Sequence, residues 1–204
     1  MATPPRLKAH WFKPEQARNP AQTGSAIAFI AWRVGSHVIK RLREAGFDID
    51  AGPAYFGVLR ELLVFLLAGA DRIAYARLGG EGRTPFTRTL VLRAAEILDE
   101  NESDLLGALQ DGASYAERFV EQFNLLSGHY AEFGWSEAEG PDFAFVRYLG
   151  HRLEPLLPEK DRRWVLDQVM AVEVPEAVSM LQRSMDGVFS SEPRRARRES
   201  MSGE

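Results

Sequence analysis

Four histidines, His10, His37, His129 and His151, are the first residues to test for chemistry, because imidazole binds metals and moves protons near neutral pH. Helical di-iron proteins draw ligands from Glu-x-x-His on two helices. No histidine here has a glutamate three positions before it, and His129-Tyr130-Ala131-Glu132 runs in the reverse order. His-Glu-x-x-His is also absent. A site shared by His129, Glu132 and His151 is sterically conceivable, but half-buried structural histidines are the simpler reading. No metal site is expected.

Two acidic runs imitate calcium loops. Asp48-Ile49-Asp50-Ala51-Gly52 alternates oxygen ligands, yet its twelfth position is Leu59, where a bidentate glutamate belongs. The run Asp99 to Asp104 lacks the central glycine and places Gln110 at the twelfth position. Both are expected to be helix-terminal turns with capping oxygens. Gly79-Gly80-Glu81-Gly82-Arg83 could seat an anion, but it fits neither G-x-G-x-x-G nor the P-loop. It is expected to end one helix and link to the next. Ser127-Gly128-His129 has no acid partner in a nucleophile elbow, and the chain has 0 cysteines. No catalytic residue and no cofactor are assigned.

The strongest chemical signal is Arg60, Glu61, Asp71 and Arg72, which bracket the most apolar run of the chain, Leu62 to Ala70. Arg60 and Asp71 share a helix face, as do Glu61 and Arg72, but each pair is about 16 Å apart along the axis. Each charge must therefore find its partner elsewhere, since burying an unpaired charge is prohibitive. Two readings follow. The charges are structural ion pairs fixing helix register, or they line a binding pocket inside the fold. The flanking apolar residues favour the structural reading.

The elements that position these residues are helices throughout. Residues 1–22 hold four prolines and read as an extended arm pinned by Trp11 and Phe12. Thr23 or Ser25 is expected to cap a first helix with the stripe Ile27, Ile30, Ala31, Val34, Val38 and Leu42. Phe29 and Trp32 lie off that stripe, so the helix has a second apolar face. Pro53 opens a central apolar helix over about residues 53–78, ending at Gly79-Gly80. Thr84-Pro85 reads as the start of a third helix. Asn101 or Ser103 is expected to cap a fourth, with a stripe from Leu105 to Phe133 kinked at Gly112 and Gly128. Gly140-Pro141 and Pro158 open two more, and Pro175 breaks or kinks the last. The tail 190–204, with Arg194, Arg195, Arg197 and Arg198, is expected to be disordered. The expected fold is all-α, a single-domain bundle of six or seven helices over 23–189 around the central apolar helix.

Composition sets the remaining bounds. The chain of 204 residues is 45% apolar and 26% charged, enough to bury a core and too apolar for disorder. No apolar run reaches the roughly 20 residues of a membrane span, and no export leader is expected. Net charge is -4, but residues 96–142 hold twelve acids against Arg118 alone. The body is thus too acidic to expect a nucleic-acid partner. Together these features point to a cytoplasmic, non-enzymatic helical interaction, adaptor or assembly protein. Its simplest partner is a second copy, met through Phe29 and Trp32. The alternative is a helical-bundle enzyme or a small apolar-ligand-binding protein, with its pocket near Arg60, Glu61, Asp71 and Arg72.

Overall fold

The computed structural model describes residues 19–190, and their architecture is all-α with one two-residue β-ladder. The motifs of the arm before Asn19 (His10, Trp11, Phe12) and the arginines of the tail lie outside the described residues. Helix α1 spans Pro20–Glu44. It begins earlier than Thr23 because Asn19 caps it, accepting from the Ala21 N–H at 3.0 Å, with Pro20 in the first turn. Its buried stripe includes Ile27, Ala28, Ala31, Val34, Val38 and Leu42, the expected face with Ala28 added and Ile30 only partly buried.

Helix α2 spans Pro53–Leu106 and is two arms joined at Gly79, whose φ of 64° and ψ of -173° leave helical space. Only glycine adopts that conformation readily, so the expected stop at Gly79 falls at the break. The chain turns back on itself there: Arg60 meets Glu102, and Asp71 meets Thr87. The second arm is helical from Gly80 on, which puts Thr84-Pro85 inside a helix and corrects its reading as a start. The first arm is buried on nearly all sides from Val58 to Ala70. By length and composition α2 could cross a membrane, and 72% of its apolar window is buried within the fold.

The expected fourth helix is corrected in its boundary. Leu105 still belongs to α2, and the chain leaves the helix at Gly107 and passes Gly112, with φ of 80° and 76°. Helix α3, Tyr115–Ala131, starts at a reciprocal cap. Ser114 Oγ accepts from the Glu117 N–H at 3.0 Å, and Glu117 accepts from the Ser114 N–H at 2.9 Å. Asn101 caps nothing; its amide donates to Ile97 O one turn back. Strand β1, Trp135–Ser136, pairs antiparallel with β2, Gly140–Pro141. Gly140-Pro141 is therefore not a helix start, and α4, Phe143–Leu153, begins at Asp142, which accepts from the Phe145 N–H.

A 3-10 turn, Glu154–Leu156, leads to α5, Glu159–Gln168. A π-helical turn, Val169–Glu173, then joins α5 to α6, Val174–Phe189. Pro175 accounts for the turn. It lacks an N–H and its ring crowds the carbonyl four residues back, so the helix widens instead of stopping.

These elements enclose one core. Helix α1 lies against both arms of α2: a Cβ added to Gly24 would collide with Phe86 O, and one added to Gly35 would lie 3.0 Å from Leu59 Cδ1. Helix α4 enters through Phe145, which meets Phe65 edge-on at 5.3 Å. Leu181 of α6 packs beside Gly69, where Trp135 also closes in.

Candidate functional site

Each of Arg60, Glu61, Asp71 and Arg72 has a partner, and the partners lie on different elements. Arg60 donates from Nη1 to Glu102 Oε1 and Oε2 at 2.6 and 2.7 Å, tying the first arm of α2 to the second. Glu102 is 1% exposed. Burial pushes its carboxyl above the usual value, and the Arg60 guanidinium pulls part of that rise back.

Glu61, 4% exposed, turns the other way. Arg152 of α4 forks onto it, Nη2 to Oε1 at 2.6 Å and Nε to Oε2 at 3.1 Å. Gln122 of α3 donates to Oε1 at 2.9 Å. One buried carboxylate thus fastens three helices, and its bond holds the Arg152 proton more tightly than usual.

Asp71 and Arg72 work near the turn. Arg83 forks onto Asp71 at 2.8 and 2.5 Å across Gly79, and Thr87 also donates to it. The carboxylate bridges the break in α2. Arg72 meets no carboxylate. Its Nη2 donates to the carbonyls of Tyr130, Ala131 and Phe133 at 3.1, 2.8 and 3.2 Å, which closes the C-terminal end of α3. A cation suits that end of a helix, where carbonyls lack partners. The four residues therefore do not converge on one site.

Sequence reasoning missed the partners. Glu102 sat inside an acidic run read as a turn, and nothing in the spacing marked Arg152 or Gln122. It also missed a second buried carboxylate, Glu173 of the π-helical turn, 1% exposed. Arg41 Nε reaches it at 2.9 Å and Gln168 Nε2 at 2.8 Å. Glu173 borders a cavity of about 10 Å³ whose other walls, among them Val38, Leu62, Phe65 and Leu149, are apolar. That space admits about one water, and the walls do not invite it.

Beside Glu61 lies an aromatic cluster of Phe65, Tyr130, Phe133, Phe145 and Tyr148, with Tyr130 and Phe145 ring centres 4.6 Å apart. The Tyr130 hydroxyl is buried and without a hydrogen-bond partner among the described residues, as is Trp135 Nε1. Burial pushes the Tyr130 hydroxyl well above its usual value, and the neighbouring Glu61 charge adds to the rise.

His129 and His151 have different partners. His129 packs on Tyr148 at 5.7 Å, while His151 faces Glu154 at 3.4 Å and Arg147 at 3.1 Å. Among the described residues no three His, Cys, Asp or Glu side chains are grouped to hold a metal. The loop at Asp48 is a structural contact, with its N–H donating to Asp161 and its carboxylate accepting from Lys160. On α1, Phe29 is 54% exposed, and Trp32 is partly buried against the core. No protein-family model, no curated protein and no solved structure matches the chain.

Proposed function

We propose that this chain is a non-enzymatic, cytoplasmic helical interaction or assembly protein, one bundle around the apolar first arm of α2, that pairs with a second copy through the outer face of α1. The observation that carries the reading is Phe29. It stands 54% exposed on a helix whose inner face is already filled by Ile27, Ala28, Ala31 and Val34. Trp32, one turn on, is only partly covered, so the two aromatics form the kind of anchor that interfaces bury. The internal bonds of Arg60, Glu61, Asp71 and Arg72 support the same reading, because they leave these charges employed in holding helices together. The burial of 72% of the apolar window of α2 within the fold supports a core role for it, and the acidic middle of the chain disfavours nucleic acid.

One observation favours the rival reading, a small-ligand-binding protein or enzyme with its site near Glu61. The Tyr130 hydroxyl has no partner in a place where an unbonded polar group is costly. Native mass spectrometry separates the two. The expected species is a dimer carrying nothing else, whereas a monomer retaining a small molecule would overturn the proposal.

A further inference from the structure

The outer face of α1 carries charge of one sign. From Pro20 to Arg43 the helix has no acidic residue, and its one acid, Glu44, is its last position. Its lysine and arginines are Arg33, Lys40, Arg41 and Arg43. Three of these are engaged within the chain. Lys40 lies 3.6 Å from Glu44, Arg41 reaches Glu173 and Glu176, and Arg43 donates to Ile49 O. Arg33 is exposed and makes no hydrogen bond or ion pair among the described residues. It follows Phe29 by one helical turn, so the two side chains share a face.

A closed pair of identical chains is two-fold and uses the same patch on both copies. With Phe29 at the centre of that patch, Arg33 stands about 6 Å along the helix from the axis, and the two copies of Arg33 lie about 12 Å apart. No acid of α1 is near enough to separate them, since Glu44 is about 22 Å along the helix from Phe29. Charges act over about 30 Å in 0.01 M salt but over only about 8 Å at 0.15 M. Dilute salt therefore leaves the two guanidinium groups in each other's field, and moderate salt screens them.

We infer that the pairing is gated by salt: the two copies of Arg33 repel across the two-fold axis, and the dimer tightens as ionic strength rises. This rests on the pairing through α1 proposed above and adds its control. The sign is opposite to that of an interface between complementary charges, which salt weakens. Two unit charges about 12 Å apart, at effective dielectric constants from about 80 down to about 20, change the Kd by about two- to tenfold.

Sedimentation of the full chain between about 0.01 and 0.3 M sodium chloride tests it. The Kd of the native chain should fall by about two- to tenfold over that range. Arg33→Gln should dimerise more tightly than native chain in dilute salt and lose most of the salt response. In dilute salt, an equimolar mixture of native and Arg33→Glu chains should form more than the statistical half of heterodimers, read by native mass spectrometry. A response that persists in Arg33→Gln would belong to the net charge of -4 on each chain or to salt acting on apolar contact, and would overturn the inference. A native Kd that stays constant or rises with salt would overturn it too, as would a statistical mixture. Each of those results leaves the pairing itself standing. A chain that is monomeric at every salt concentration overturns both.

Discussion

Arg60 and Glu102 lie 42 positions apart in the sequence, yet Arg60 Nη1 sits 2.6 and 2.7 Å from the two Glu102 carboxylate oxygens. The contact is possible because α2 folds back at Gly79. Asp71 repeats the device nearer the turn through Arg83 and Thr87. The charges that interrupt the apolar helix are thus clasps between elements.

Glu61 is the clasp with most to lose. Glu61→Ala strands the Arg152 guanidinium and the Gln122 amide, and should cost about 3 kcal/mol. Replacing Glu61 and Arg152 together with apolar residues of similar volume should recover much of that loss. Denaturant titrations of the single and double variants check both. An unchanged single variant would mean that water already solvates the pair.

Glu102 should leave a mark on the pH dependence. Its carboxyl is raised above the usual value, so the native state holds the proton more tightly than the unfolded chain does. The stability it contributes is greatest at low pH and declines as pH rises from the unfolded value through the raised one. Glu102→Gln keeps an acceptor for Arg60 but cannot titrate. Relative to native chain, its stability should therefore improve as pH rises through the carboxylate range. The opposite slope in melts across that range would show that Arg60 outweighs burial.

Arg72 closes a helix end. Arg72→Met keeps the aliphatic bulk and removes three charge-assisted contacts to carbonyls, which should cost about 1.5–3 kcal/mol. The loss should be local first. Hydrogen exchange should speed up at residues 128–133 before it does in α1.

Gly79 and Gly80 form a matched pair of controls. Gly79 holds φ of 64° with ψ of -173°, so Gly79→Ala should destabilise by about 1–3 kcal/mol. Gly80 is helical, and a Cβ added there would meet nothing within 4 Å, so Gly80→Ala should be neutral or mildly stabilising. Thermal melts of the two should move in different directions or by clearly different amounts.

How much of this was legible in the sequence differs by residue. The apolar stripe of α1 and the stop at Gly79 were readable, because periodicity and glycine report directly on helix faces and ends. The need of Arg60, Glu61, Asp71 and Arg72 for distant partners was readable too, since spacing along one helix is fixed by its geometry. The partners were not. Gln122 and Arg152 reach Glu61 only through the packing of α3 and α4, which no local pattern encodes. The start of α3 was misplaced because Leu105 and Leu109 continue an apolar rhythm that two glycines, Gly107 and Gly112, interrupt with positive φ. Glu173 went unnoticed because a π-helical turn shifts the register that would have placed it.

The proposed function turns on Phe29 and Trp32, and sedimentation velocity tests it most directly. At tens of micromolar the full chain should sediment as a dimer, and Phe29→Arg should sediment as a monomer with an unchanged helical spectrum. A native chain that is monomeric at that concentration would contradict the proposal. So would a Phe29→Arg variant that remains fully dimeric.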